Sequence, residues 1–135
     1  MASDIVKGTL VALLIGVVLN LIIFLVGQAA AVDFLVTRPG AAETSEISLG
    51  IVVLATVIPI VCAGAALWLL SQASAQALNG LMWVTILLAL FSLILPYNGA
   101  HSSGTFVSLG LMHVVVGLAT LFGLFNFVWR RSACQ

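Results

Sequence analysis

The chain has 135 residues, of which 63% are hydrophobic and 6% are charged, and its formal net charge is zero. An ordinary soluble domain carries roughly 25% charged residues, so this composition excludes a soluble globular fold. The four basic residues are too few for a phosphate-binding surface, which excludes nucleic acid as a partner.

Four long apolar runs divide the chain, and none of them contains a charged side chain. An α-helix needs about 20 apolar residues to cross a hydrocarbon core about 30 Å thick. A membrane barrel would instead require alternating apolar and polar residues. The sequence therefore predicts an all-α, integral membrane four-helix bundle that forms one domain over residues 1–135, with spans at about 9–32, 49–70, 78–95 and 106–129.

The first predicted span carries small residues and an asparagine on one helical face. Ala12, Gly16 and Asn20 follow one another at steps of four, a pattern that allows two helix backbones to approach closely in lipid. A polar group in lipid is costly without a partner. Asn20 is therefore expected either to hydrogen-bond to a neighbouring helix or to line a functional site.

The second and third spans carry Thr56, Cys62 and Ser92 as polar residues, and the second span also contains Pro59. Pro59 removes a backbone hydrogen bond from the middle of the second span, so it is predicted to act as a hinge or as a static kink. The third span is predicted to stop at Pro96, because helices usually end near a proline.

The fourth span contains a histidine on a stripe of small and polar residues. His113 shares this stripe with Gly110, Gly117 and Thr120, and we expect the stripe to meet the small face of the first span. A direct or water-mediated hydrogen bond between His113 and Asn20 is compatible with these positions. The residues predicted to pack helices together are Ala12, Gly16, Gly110, Gly117 and Gly123.

His113 has two interpretations. As a functional residue it would be a proton relay, a ligand contact or a metal position, because histidine titrates near neutral pH and coordinates metals. As a structural residue it would be a neutral hydrogen-bonding group between helices. His101 could approach the same end of the bundle only if its loop folds back, and a metal site needs three or four ligands, so no metal site is predicted.

The few charges predict an orientation. Lys7 precedes the first span, and Arg130 and Arg131 follow the fourth. The positive-inside rule then places both termini in the cytoplasm and residues 33–48 outside. The prediction is a multi-pass protein of the plasma (inner) membrane.

Several kinds of chemistry lack the residues that they require. All four acidic residues lie outside the apolar runs, which disfavours a small proton-coupled exporter. One intramembrane histidine is too few for the two axial ligands that a b-type cytochrome commonly uses. Ser108 and His113 point to different faces of one helix, so they do not pair a nucleophile with a base. The sequence predicts no enzyme and leaves the cofactor unknown.

The arrangement resembles a bacterial family of small four-span membrane proteins that is known only as a domain of unknown function. The resemblance covers nearly the whole chain and implies the fold and a bacterial plasma membrane, but no activity. The motifs that carry it are Asn20 with Gly27, Gln28 and Ala29, residues 55–59 (ATVIP), and Pro96 followed by residues 111–113 (LMH).

Two functional hypotheses follow. The preferred one is a non-enzymatic protein that acts by helix–helix association through its small-residue faces, as an accessory subunit of a membrane complex or as a homo-oligomer. Its partners would be the lipid bilayer and a membrane protein or a second copy. The alternative is a channel or transporter-like pathway, or a bundle that binds a lipid, pigment or quinone, with His113, Asn20, Thr56 and Ser92 lining the site.

Overall fold

A computed structural model describes residues 2–37, 40, 43–72 and 75–125, without the side chains of 75–79 and 125. Among these described residues, four helices are long and apolar enough to cross a membrane, which confirms the all-α four-helix prediction. The end of the fourth predicted span, Arg130 and Arg131 lie outside the described residues. The elements in chain order are α1 (Ala2–Ala29), β1 (Leu35–Thr37), β2 (Thr44–Glu46), α2 (Leu49–Leu70), α3 (Ala75–Ser92), α4 (Ile94–Gly99) and α5 (Ser103–Thr120), which continues into a π-helical turn at Leu121–Phe125.

Helix α1 both begins and ends earlier than the sequence predicted. Its C-terminus is closed by two capping hydrogen bonds: the amide of Val32 donates to the carbonyl of Gly27 at 2.9 Å, and that of Ala31 donates to Gln28 at 3.0 Å. This is a Schellman arrangement, which requires a left-handed residue after the helix. Ala31 occupies that position with φ of 57°, although glycine is the usual choice there.

The connection between α1 and α2 contains a small β-hairpin, so the prediction of helices throughout was incomplete. Strands β1 and β2 pair antiparallel, with Val36 opposite Ser45. Val36 also forms a bridge with Ala100, and the amide of His101 donates to the carbonyl of Leu35 at 3.2 Å. The hairpin therefore joins the segment before α5 at one end of the bundle, which we call the hairpin end.

Phe34 anchors the hairpin to the helices. Its side chain is 2% exposed and its backbone has φ of 48°, a left-handed conformation that is unusual for a bulky residue. Its ring packs on Phe24 with a centroid distance of 4.8 Å. Gly27 leaves the space that this ring needs, because an added Cβ would lie 2.6 Å from the Phe34 Cζ.

Asp33 connects the end of α1 to the beginning of α5. Its Oδ1 accepts hydrogen bonds from the hydroxyls of Thr105 at 2.5 Å and Ser102 at 3.0 Å. Ser102 is also the N-cap of α5, since its hydroxyl accepts from the Thr105 amide. The hydroxyls of Thr105 and Ser102 hold the pKa of the Asp33 carboxyl below its ordinary value of 3.8.

The prediction that the third span stops at Pro96 was wrong. Helix α3 ends at Ser92 and α4 begins after Leu93, with Pro96 inside the first turn of α4. Pro96 has no N–H to donate to the carbonyl of Ser92, so the helical hydrogen bonding breaks one turn before the proline. A proline is tolerated in the first turn of a helix, which allows α4 to continue to Gly99.

Small residues hold α1 against the end of α5. A Cβ added at Gly123 would lie 2.6 Å from the carbonyl oxygen of Gly8 and 2.7 Å from the Cβ of Ala12. One further contact follows along α1, where a Cβ added at Gly16 would lie 3.7 Å from the Cβ of Ala119. Backbone therefore approaches backbone at this crossing, as glycine allows.

The stripe of Gly110, His113, Gly117 and Thr120 was predicted to meet α1, but its members do not all face that helix. A Cβ added at Gly117 would lie 2.9 Å from the Cβ of Ala89 on α3, and one at Gly110 would meet nothing within 4 Å. The residues of α5 that meet the small face of α1 include Ala119 and Gly123. Gly110 instead lines a separate apolar depression of about 290 Å³ near α4.

Replacing Ala31 with glycine should stabilise the protein by about 1 kcal/mol, because glycine adopts the left-handed conformation without a Cβ clash. The free energy of unfolding in mixed micelles would measure this. Ala65→Gly, at an exposed position in the interior of α2, is the control and should destabilise by about 1 kcal/mol. An unchanged or lower stability for Ala31→Gly would contradict the capping argument.

Gly123→Ala should destabilise the protein by about 1–3 kcal/mol, because its new methyl group overlaps α1. Gly110→Ala is the matched control, since it adds the same group where nothing lies within 4 Å, and it should be neutral or stabilising by up to about 1 kcal/mol. Equal effects of the two substitutions in the same unfolding measurement would reject the proposed crossing.

The Asp33 contacts predict a stability that depends on pH. Because the folded protein lowers the pKa of Asp33 below 3.8, the stabilisation is present above that value and is lost as the pH falls through the folded pKa. Between about pH 6 and about pH 3, the melting temperature of the wild type should fall more than that of Asp33→Asn. Glu43→Gln removes a carboxylate that hydrogen-bonds to none of the described residues, and this variant should follow the wild type.

Candidate functional site

A cavity of about 860 Å³ lies between α2, α3 and α5. On α2 its lining runs from Ile51 to Ala66, which is about 22 Å of helix at about 1.5 Å per residue. Val36 and Thr37 of the hairpin line it at one end. Most of its surface is apolar, and the polar or proline residues predicted from the sequence all contribute to its lining: Asn20, Thr56, Pro59, Ser92 and His113.

The cavity exists because α3 stands apart from the other three long helices. Only 6% of the residues in the apolar window of 80–99 are buried, against 44% for the window of α5. Gly117 and Ala89 provide a close contact between α3 and α5, but along most of the bundle the lining residues of α3 face those of α2 and α5 across the cavity.

Asn20 and Thr56 form a buried hydrogen-bonded chain at the wall of the cavity. The Asn20 Nδ2 donates to the Thr56 hydroxyl at 2.8 Å, and that hydroxyl donates to the carbonyl of Val52 at 2.8 Å. Both side chains are at most 2% exposed. The Asn20 Oδ1 is buried and has no hydrogen-bond partner among the described residues.

His113 hydrogen-bonds within its own helix rather than to Asn20. Its Nδ1 lies 2.7 Å from the carbonyl oxygen of Leu109, and since a carbonyl only accepts, Nδ1 carries the proton. The side chain is half-buried, and its Nε2 contacts no hydrogen-bonding group in the described part of the chain. The structure thus brings His113 and Asn20 to one cavity without a direct bond between them.

The two residues lie at similar depths in the bundle. An added Cβ at Gly16 would contact Ala119 and one at Gly27 would contact Ser108, so α1 and α5 run antiparallel and the two contacts are eleven positions apart on each helix. By interpolation Asn20 is level with residue 115 of α5. His113 is two residues away, or about 3 Å along the helix axis.

The hydroxyl groups that line the cavity donate to carbonyls of their own helices. Thr85 donates to Leu81 at 2.9 Å, Ser92 donates to Ala89 at 2.7 Å, and Thr120 donates to Val116 at 2.7 Å. Each hydroxyl has one proton, so these groups retain only acceptor capacity toward the cavity.

Two prolines of the lining each leave a carbonyl without its helical donor. Pro59 has no N–H for the carbonyl of Ala55, and Pro96 has none for the carbonyl of Ser92. Both prolines, Ala55 and Ser92 line the cavity. Helix α2 continues through Pro59 from Leu49 to Leu70. The sequence indicated Pro59 but not Pro96, which it interpreted as the end of a helix.

His101 lies at the hairpin end and not in the lining of the cavity. Its Nε2 is 2.7 Å from the hydroxyl of Thr37, which does line the cavity. Sequence reasoning missed Thr37, because its position depends on the hairpin. In the described ranges, no group of three or more histidine, cysteine, aspartate or glutamate residues is placed to hold a metal ion.

Comparison with known proteins gives one result. No curated protein and no solved structure matches the chain. A family model matches residues 2–129, which is nearly the whole length. With four helices of membrane-spanning length, the chain belongs to the family of unknown function DUF6069.

Proposed function

We propose that this membrane protein is a non-enzymatic bundle that binds a mostly apolar small molecule between α2, α3 and α5. The observation that carries the proposal is the cavity of about 860 Å³. Ligand sites in proteins are typically about 300–1,000 Å³ in volume and combine an apolar lining with a few polar groups. A lipid, a pigment or a quinone has the shape and polarity that such a site accepts.

The packing of the small residues favours this function over association between chains. Ala12, Gly16, Gly117 and Gly123 are all buried within the chain and contact its own helices, so their faces are not available to a partner. Association as an accessory subunit or as a homo-oligomer remains the second proposal. It would use the outer face of α3, where Trp83 is 62% exposed.

A channel or transporter-like pathway would use the same cavity. Its polar groups are few, and in the described part of the chain no aspartate, glutamate, lysine or arginine side chain lines it. A binding site requires fewer of these groups than a route for ions does. The pathway therefore ranks below binding.

The orientation and the membrane also belong to the proposal. Lys7 lies near the start of α1, at the opposite end from the hairpin, and the positive-inside rule places that end in the cytoplasm. The hairpin end would then face the outside of the plasma (inner) membrane.

Native mass spectrometry of the protein extracted gently from its membrane tests ligand binding. Ala55 lines the cavity and has an exposed side chain, so Ala55→Phe should fill part of the space. We expect a reproducible added mass on the wild type and its loss, by about tenfold or more in occupancy, from this variant. Ala65→Phe is the matched control, because Ala65 is exposed on α2 but outside the lining.

Three outcomes are informative. A bare polypeptide, or an added mass that Ala55→Phe retains, would reject binding in the cavity. A defined oligomer without an added small molecule would favour the association proposal. An added mass that both substitutions remove would indicate a general loss of structure, and the helix content of each variant by circular dichroism distinguishes that case.

A further inference from the structure

We infer that the molecule bound in this cavity presents an uncharged hydroxyl group, as an alcohol or a phenol does, whose single proton is donated to the buried Asn20 Oδ1, with the His113 Nε2 as the alternative acceptor. The inference rests on the proposed function and specifies the chemical class of the ligand. It follows from the hydrogen-bonding groups that the protein leaves unused on the cavity wall.

The assignment of the Asn20 oxygen is fixed by its neighbour. The Thr56 hydroxyl lies 2.8 Å from the Val52 carbonyl, which can only accept, so the single proton of the hydroxyl points there. Asn20 must then donate to Thr56 with its Nδ2. This leaves the Oδ1 as a buried acceptor without a partner among the described residues, a state that is costly unless something donates to it.

The other unused polar atoms of the cavity are mostly acceptors as well. The proton on the Nδ1 of His113 is used by Leu109, so the Nε2 of the neutral ring offers a lone pair. The carbonyls of Ala55 and Ser92 lack a helical donor because Pro59 and Pro96 have no N–H. On the donor side, the second N–H of Asn20 and the weak S–H of Cys62 remain. The cavity therefore complements a ligand that donates hydrogen bonds.

The charge of the lining selects a neutral donor. An ammonium group would also donate, but no aspartate or glutamate belongs to the lining among the described residues. A buried charge without an opposite charge is much more costly than a buried hydroxyl. An acceptor-only group, such as an ether or the carbonyl of a quinone, would face the Oδ1 without forming a bond.

The two principal acceptors line the same cavity at similar depths. Asn20 and His113 differ by about 3 Å in depth along the bundle, and both line the same cavity. The remaining length of the cavity is apolar, including Val84, Leu88 and Val116. A hydroxyl group on a long apolar body fits this distribution.

Matched probes test the inference with the protein in lipid nanodiscs. The first pair is 1-dodecanol and methyl undecyl ether, which have equal numbers of heavy atoms. The second pair is a decyl-substituted hydroquinone and the corresponding quinone. Binding is measured as the ligand-induced rise in melting temperature, and the rise seen with Ala55→Phe is subtracted as binding outside the cavity. The wild type should bind each hydroxyl compound about tenfold more tightly than its partner, as a neutral hydrogen bond allows.

Substitutions identify the acceptor. Asn20→Leu should reduce the preference for the hydroxyl compound to within about twofold, and His113→Leu should reduce it in part. Ser71→Ala is the control, because Ser71 lies outside the lining and its hydroxyl donates to the carbonyl of Trp68, and it should leave the preference unchanged. The wild-type comparison needs no substitution, so the inference stays testable if Asn20→Leu lowers stability.

The outcomes separate the two proposals. If no member of either pair binds, the proposed function fails and the inference fails with it. If both members bind equally, the function stands and the inference is overturned, since water rather than the ligand would then satisfy Asn20. A preference for the alcohol alone indicates a lipid-type ligand, and a preference for the hydroquinone alone indicates a reduced quinone.

Discussion

The close approach of α1 to the end of α5 is the contact on which the rest of the structure depends. In lipid, helices gain little from burying apolar side chains, so association relies on close packing of small residues. Gly8 and Gly123 provide this at the crossing, where an added Cβ on either residue would overlap the backbone of the other helix. Helix α2 packs on a neighbouring face of α1 at the same level, where a Cβ at Gly64 would lie 2.5 Å from the hydroxyl of Thr9, the residue after Gly8. The result is a compact core of α1, α2 and α5.

Helix α3 does not share this packing, and the cavity is the consequence. Gly117 against Ala89 gives it a close contact with α5, and α3 ends at Ser92 before α4 begins at Ile94. Large apolar side chains such as Leu87, Leu88 and Phe91 remain at least half exposed on α3. A membrane supplies the apolar surroundings for their outer surfaces, while the inner surface of α3 faces the cavity.

Most polar side chains that line the cavity use their hydrogen-bond donors within the protein and leave acceptors unused. In a helix without access to water, a serine or threonine hydroxyl commonly donates to the carbonyl one turn earlier, as Thr85 and Thr120 do. This uses the proton and leaves the oxygen lone pairs. The two prolines add free carbonyl capacity, and the amide oxygen of Asn20 adds a fully buried acceptor. The unused polar capacity of the cavity is thus weighted toward acceptors.

The sequence by itself determined the class of the protein, because the length of an apolar run without charges is a local property that the thickness of a bilayer interprets directly. It also indicated Asn20, Thr56, Ser92 and His113, since any polar residue in such a run requires an explanation. It could not assign Gly110 and Gly123 to different surroundings, because both lie on one helix and their contacts depend on how that helix crosses its neighbours. The tertiary structure alone decided that the small face of α1 is used within the chain, that the Asn20 amide donates to Thr56, and that two prolines border one cavity. These facts depend on distances between separate helices, which helical periodicity does not contain.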